Sequence, residues 1–379
     1  MEWLPQRDSV YPAAMNGTRA WTNVALATLV VGFGLSEMGC KKLIQKRLAA
    51  MDAGAGAGGP TTAGSANLSP QDLADEQMQD KLDDYIKCLN SISSNVFRAR
   101  SRYLYYIPKA GPKGTERDAD IYQLSSGNTA ECTKGVGKAK TMPPRDGKLE
   151  AVGDEYAAAA ANVDTAINDM HSYFQMKSWK DDKWAKGKAM HVTLMGAFDR
   201  FSKADHAMHD TLDGITKPLN QRALVRLDKE EGKKFRYWRK KTMITAREMI
   251  EAANPSGEDE DIDFNLYQAN YTEFEKSLDE LQAYGNAHKP DLEGKQNPAW
   301  PLAASHYDTF VKEGTDFKIA SKEFWRCLRD APAKAKSPSG KIDLSKAGNC
   351  DNQPAWRSAE NTLKKYNEFV RASNNNQFP

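Results

Sequence analysis

The sequence predicts an all-α fold, an elongated antiparallel helical bundle of about seven long helices, arranged as one bundle or as two packed bundles. Apolar residues recur at three- and four-residue spacing in segment after segment, the periodicity of a helix with one buried face. No convincing alternation at period two, the mark of a half-buried strand, interrupts them. The 17 Pro and 26 Gly gather mainly outside the periodic segments, leaving breaks at 108–148, 254–262, 289–301 and 331–354. Long helices joined by loops of this kind pack near-antiparallel.

The first helix opens at Ser69-Pro70-Gln71-Asp72, an N-cap hydroxyl, a proline at the first helical position and an acid in the first turn. Its stripe is Leu82, Tyr85, Leu89, Ile92, Val96, Ala99, Tyr103 and Tyr106. The second helix carries Leu149, Val152, Tyr156, Ala159, Val163, Ala166, Met170 and Tyr173. The third runs from Trp184 through His191, Leu194, Phe198, Phe201, Asp205, Met208 and Leu212 to Ile215, and Pro218 opens a fourth with Leu224, Leu227, Phe235, Trp238, Thr242, Thr245 and Met249. Phe264 to Leu281, Ala303 to Leu328 and Trp356 to Val370 supply the last three. The break at 108–148 is long enough for a small hairpin or a functional loop.

Three zones precede or make up this body: a signal peptide with a lipidation site over 1–40, a Gly/Ala/Ser-rich tether over 41–68, and the helical domain over 69–376. The first zone has Arg19 as a basic flank, an apolar run from Val24 to Leu35, and small Gly39 just before Cys40, the order of parts in an export signal. A cysteine directly after the cleavage position predicts a bacterial lipoprotein with Cys40 as the acylated first mature residue. Glu37 stands where an aliphatic residue is usual, and Lys41, Lys42, Lys46 and Arg47 follow the run. A start at Met15 would leave an ordinary n-region. The rival reading is an uncleaved anchor, but the run falls short of the roughly 20 residues that span a bilayer. Residues 51–68 have almost nothing to bury and read as a tether.

Five cysteines occur, and setting Cys40 aside leaves Cys88, Cys132, Cys327 and Cys350, an even set suited to two disulfides in an oxidising envelope. Three pairings are open. The local set, Cys88–Cys132 and Cys327–Cys350, is favoured because each bridge would tie a helix to the Gly/Pro-rich loop that follows. The alternative is four free thiols in a cytosolic protein. A formal net charge of +2, with 40% hydrophobic and 27% charged residues, describes an ordinary globular body with no field directed at nucleic acid.

The clearest polar anomaly is on the third helix. His191 and Asp205 fall on its apolar stripe, where burial without a partner is costly. His209 lies one turn beyond Asp205, within pairing reach, and His206 lies three before His209, a spacing that can chelate a divalent metal. These residues suggest a small polar or metal site; against it stand a hydrogen-bonded core histidine and the lack of a Glu-x-x-His pair on a second helix. Lys233-Lys-Phe-Arg-Tyr-Trp-Arg-Lys-Lys241 mixes six bases with three aromatics. On a helix Phe235 and Trp238 face inward while Lys233, Arg236 and Lys240 line another, solvated face; in an envelope protein the functional target of such a face is anionic lipid rather than nucleic acid. Glu258 to Asp263 holds five acids; its glycine-free spacing does not match a calcium loop, and Asp263 reads as the cap of the next helix. Arg98 and Arg102, beside Tyr103, Tyr105 and Tyr106, could line a groove for an anionic ligand, or simply face solvent at a helix end. No nucleophile elbow, P-loop, Cys-x-x-Cys or dinucleotide fingerprint appears, so neither a catalytic residue nor a cofactor is assigned.

Several segments are distinctive together: Lys81-Leu-Asp-Asp-Tyr-Ile-Lys-Cys-Leu-Asn-Ser-Ile, Ser101-Arg-Tyr with Gly111-Pro-Lys-Gly-Thr-Glu-Arg117, Tyr173-Phe continuing into Lys180-Asp-Asp-Lys-Trp-Ala-Lys-Gly-Lys-Ala-Met-His191, and Leu363-Lys-Lys-Tyr-Asn-Glu-Phe-Val370. Over roughly residues 72–375 the chain resembles the YiiG-like family of bacterial lipoproteins, a domain of unknown function. The leading expectation from the chain is a binding or scaffolding module lipid-anchored to the outer or plasma membrane, with an envelope protein or anionic lipid as partner; the alternative is a periplasmic metal-binding or metal-dependent protein using the His191–His209 helix. The resemblance implies an envelope lipoprotein with a helical body. It implies no catalytic residues.

Overall fold

The computed structural model describes residues 69–125, 127–253, 261–292, 302–350, 357–375 and 378. Cys40, the signal segment 1–40, the tether 41–68 and the acidic residues 258–260 lie outside them. Among the described residues the fold is all-α, with eight helices of 14 residues or more: α1 Pro70–Tyr106, α2 Asn128–Thr141, α3 Gly147–Gln175, α4 Ala185–Glu230, α5 Phe235–Ala253, α6 Phe264–His288, α7 Ala303–Arg329 and α8 Ala359–Asn375.

These helices enclose two cores. Leu82, Tyr85, Ile92, Val96, Tyr103, Tyr156, Val163, Phe198 and Phe201 belong to the first, built by α1, α2, α3 and α4. Phe235, Met249, Phe274, Leu278, Phe310, Phe317, Phe324, Phe369 and Phe378 belong to the second, built mainly by α5 to α8. Of the two arrangements the sequence allows, the structure has two packed bundles. Each is aromatic-rich: Phe97 meets Phe201 edge-on at 5.8 Å, and Phe310 meets Phe369 at 4.7 Å.

Caps follow the sequence. The Ser69 hydroxyl accepts from the Asp72 backbone N–H, Asp146 from Leu149 and Asp263 from Leu266. The 108–148 break is not a hairpin; it holds α2, which lies antiparallel to α1. Cys132 of α2 is bridged to Cys88, and Lys138 pairs with Asp84 at 2.7 Å.

Two corrections concern boundaries. Pro218 does not open a helix: α4 runs through it from Ala185 to Glu230. The proline removes one N–H that would bond the Gly214 carbonyl, yet the helix continues because its next turn is clamped to α1, where Arg222 grips Asp75 through two bonds of 2.7 and 2.8 Å. The real break is at Gly232, whose φ of +76° supplies the left-handed residue that ends the helix. The second correction is a strand pair. Asp261–Asp263 (β1) and Lys341–Asp343 (β2) pair antiparallel, with Ile262 opposite Ile342. Both isoleucines are buried in the second core, so the ladder pins the α5–α6 connection to the segment after α7.

Candidate functional site

The polar anomaly on the apolar stripe becomes a seam where the two cores meet. On α4 the residues Asp205, His209, Asp213 and Lys217 succeed one another every four positions, so they lie along one ridge of the helix. Opposite them, α5 presents Arg247 and Glu251, also four apart. Arg247 binds Asp213 of α4 and, at 2.7 Å, Glu251; Lys217 reaches Glu251 at 2.9 Å. Two cations and two carboxylates thus close a ladder between α4 and α5, with Arg247 buried at its centre.

At the upper end of the ladder the groups are not matched. Asp205 is 1% exposed, and burial pushes its carboxyl up to about 7, the Ser93 hydroxyl of α1 acting the other way. His209 is buried too, and burial, with smaller repulsion from Arg247 and His206, pushes its imidazole down to about 4. At neutral pH the histidine is therefore uncharged, and its Nε2 lies 3.6 Å from Asp205 Oδ2, beyond a good hydrogen bond. Among the described residues Asp205 Oδ1, His209 Nε2, Arg247 Nη1 and the Tyr366 hydroxyl of α8 have no hydrogen-bond partner. Buried polar atoms are nearly always satisfied, so four orphans around one seam mark a place suited to ordered water or a small polar ligand.

The metal reading gains no third ligand. Among the described residues no three His, Cys, Asp or Glu side chains converge on a point that could hold a metal ion. His206 is half-buried on a different face of α4 from the ridge of Asp205 and His209.

The other candidates separate in the same way. His191 is a brace in the first core. Its Nε2 is 3.2 Å from the Lys109 carbonyl, which can only accept, so in the neutral ring Nε2 carries the proton and Nδ1 accepts from the Tyr103 hydroxyl at 2.8 Å. Both nitrogens are thereby engaged within the protein, and none remains for a ligand. Arg102 pairs with Asp120 at 3.1 Å and lies over the rings of Tyr106 and Tyr122, at 4.7 and 5.2 Å. Arg98 donates to Asn95 at 2.8 Å. Arg102 thus pins the loop after α1, whereas Arg98 is exposed and bonds within its own helix.

The basic segment at the start of α5 is amphipathic, as its spacing predicts: Phe235 is buried while Lys233, Lys234 and Arg236 are exposed, and several of its other bases are engaged within the protein. Arg236 pairs with Glu231, Arg239 donates to the Ser373 carbonyl and covers the Phe378 ring at 5.2 Å, and Lys241 bonds Glu280 at 2.7 Å. Lys240 is half-buried against Asn220 at 3.1 Å, where burial pushes its ammonium down to about 8.

Sequence reasoning missed one buried ion pair. Lys81, fully buried, donates to the carbonyls of Met142 and Pro144 at 3.2 and 3.0 Å and to Glu150 at 2.7 Å. Arg145 binds the same carboxylate through two bonds, and these two cations hold Glu150 far below the usual carboxylate range. The signal was present: Lys81 lies four residues before Tyr85, on the buried stripe.

Comparison with known proteins adds family but no activity. No solved structure matches the chain. The uncharacterized protein YiiG of Escherichia coli (strain K12) is 28% identical over 308 residues, covering 79% of this chain and 80% of that protein. Residues 76–375, spanning both cores, match the family described as "Protein of unknown function (DUF3829)", and the chain belongs to that family.

Proposed function

We propose that the protein is an exported lipoprotein, acylated at Cys40, whose two-bundle body works as a binding module at the cell envelope. The observation that supports export best is the cysteine pairing. Cys88–Cys132 and Cys327–Cys350 are bridged, with Cα–Cα distances of 4.3 and 5.5 Å, one bridge in each core. All four described cysteines are therefore paired, a pattern characteristic of oxidising compartments. A further support is that no described helix is long and apolar enough to cross a membrane, so attachment would fall to the segment before Ser69. For binding, the support is the polar seam around Asp205, His209, Arg247 and Tyr366, a described cluster that combines four buried orphan atoms with perturbed titratable groups. The metal-dependent alternative has no comparable support, because Asp205, His206 and His209 lack a further ligand.

Treating cells with an inhibitor of the lipoprotein signal peptidase tests the reading. The expected result is accumulation of an unprocessed precursor, and thiol counting on the non-reduced mature protein finds no reactive cysteine among the four. Normal processing under effective inhibition, or four titratable thiols, overturns it.

A further inference from the structure

A dense group of exposed cations lies at the tip of the first bundle, between α3 and α4. Lys177, Lys180, Lys183, Lys186 and Lys188 are all exposed, and none forms an ion pair among the described residues. Two acids lie within this stretch. Asp182 is committed to the fold, accepting from the Trp184 and Lys186 backbone N–H groups at 2.8 and 3.1 Å and from the Tyr173 hydroxyl at 2.9 Å. Asp181 is the other. Lys109, whose carbonyl is bonded to His191 near the start of α4, adds a sixth exposed base at this end.

The tip is a built feature. The chain leaves α3 with Ser178 N–H bonded to the Tyr173 carbonyl and Lys177 N–H to Phe174, a Schellman arrangement. The left-handed position of that motif normally holds glycine; here Lys177 occupies it with φ +54°. Lys183 and Trp184 follow at +52° and +69°. Three non-glycine residues with positive φ within eight positions persist only where packing over-determines them. That packing is visible: Trp184 is buried against Tyr173 and Phe174 and stacks on Trp179 at 6.0 Å. Gly187 is required beneath it, since a Cβ there would come within 2.8 Å of the Trp184 ring. Beside the lysines Met176 is 70% exposed and Trp179 is half-buried. This end lies opposite Ser69, about 55 Å along α1.

We propose that this tip, Met176 to Lys188, docks on the anionic headgroup surface of a phospholipid bilayer, with the lysines meeting phosphates and Met176 entering the interface. A fixed fan of unpaired ammonium groups around one exposed apolar side chain fits a surface that is negative outside and apolar beneath. Single-stranded nucleic acid fits less well, because it needs open aromatic faces for stacking, and the face of Trp179 is covered by Trp184. The proposal deepens the envelope reading and rests on it for the membrane being within reach, but not on acylation of Cys40.

The test uses the full-length chain carrying Cys40→Ser, so that no acyl chain contributes. It is sedimented with vesicles of phosphatidylcholine alone and with vesicles that also contain phosphatidylglycerol. The expected result is a preference for the anionic vesicles that salt abolishes. Lys177→Gln, Lys180→Gln and Lys183→Gln together should weaken partitioning by about a hundredfold, at about tenfold or less per lysine. Lys87→Gln, Lys134→Gln and Lys148→Gln remove the same charge from exposed sites elsewhere and should leave most of the preference intact. Equal loss in both triple variants would mean net charge alone, and retained preference without the tip lysines would mean another surface; either overturns the proposal. So does binding to a soluble polyanion with none to vesicles. If the native protein is processed and acylated in cells while the Cys40→Ser chain shows no preference for anionic vesicles, the tip proposal falls and the lipoprotein reading stands.

Discussion

Asp205 Oδ2 and His209 Nε2 lie 3.6 Å apart on successive turns of α4, yet the two side chains do not form an ion pair at neutral pH. Burial favours the neutral form of each, raising the carboxyl to about 7 and lowering the imidazole to about 4. Their contributions to stability run in opposite directions. The folded state holds the Asp205 proton more tightly than the unfolded chain does, so its contribution is fully present below pH about 4 and is lost as pH rises towards 7. The folded state resists protonating His209, so that contribution is complete above about 6.5 and is lost as pH falls towards 4. In the native protein the two slopes largely cancel between these limits.

Asp205→Asn removes one of them. The variant should match the native protein at pH 4 and exceed it at pH 7.5 by a few kcal/mol, since each tenfold change in proton affinity is worth about 1.4 kcal/mol. Urea unfolding at the two pH values measures this. If Asp205→Asn is less stable at pH 7.5, the carboxylate has a charged partner and the seam is a satisfied network. His209→Gln should show the reverse, a stability that falls with rising pH through the same window.

Lys81→Met tests the buried pair in the first core. The substitution keeps the volume but leaves the carbonyls of Met142 and Pro144 without their donor, and removes one of the two cations on Glu150. The two orphaned carbonyls should cost about 2–3 kcal/mol. Glu150 keeps Arg145, so its carboxyl stays below the usual range and acid sensitivity is reduced, not abolished. The linkage has a definite sign: a depressed carboxyl stabilises the fold above its unfolded value, and that contribution is lost as pH falls. A midpoint unchanged by Lys81→Met would show that the pair contributes no net stability.

Most helices are legible in the chain because one rule, three- and four-residue spacing, writes their buried faces. The stripe from Leu82 to Tyr103 is buried almost as it reads. The helix Asn128–Thr141 escapes that rule because its buried face is only Cys132, Val136 and Ala139, with Gly135 and Gly137 diluting the pattern. Pro218 misleads because its breaking tendency is local, whereas the clamp of Arg222 on Asp75 that overrides it joins residues 147 positions apart. The seam is half legible. Asp205 and His209 stand out as polar residues on an apolar stripe, but periodicity within α4 carries no record that Arg247 and Tyr366 face it. At the tip the lysines are plain in the sequence, but the positive φ angles have no glycine to announce them.

The two bridges serve different cores, so their loss should be felt separately. Cys88–Cys132 closes a 44-residue separation in the first core and Cys327–Cys350 a 23-residue separation in the second. Chain entropy assigns each about 3–4 kcal/mol. Replacing Cys88 and Cys132 by serine should speed amide exchange chiefly within α1 to α4, while replacing Cys327 and Cys350 should do so within α5 to α8 and β2. Exchange that rises equally everywhere after either change would show that the two bundles unfold as one unit.

Each core seats a tyrosine ring on a glycine of a neighbouring helix, and the sign of a Gly→Ala change should depend on that seat. A Cβ on Gly153 of α3 would clash with the edge of the Tyr85 ring of α1, and one on Gly285 of α6 with the phenol end of Tyr307 of α7. Alanine normally stabilises a helix interior by about 1 kcal/mol over glycine. Here overpacking of about 1–3 kcal/mol opposes that gain, because both rings are buried and have no open space to move into. Gly153→Ala and Gly285→Ala should therefore destabilise. Gly137→Ala in α2 and Gly196→Ala in α4, where nothing lies within 4 Å of the added methyl, should stabilise. Thermal unfolding of the four variants reads the signs directly. Tyr307→Leu supplies the decisive cross-check: removing the ring also removes the clash, so adding Gly285→Ala to it should cost less than in the native background. A full additive loss would place the fault elsewhere than in the Gly285–Tyr307 contact.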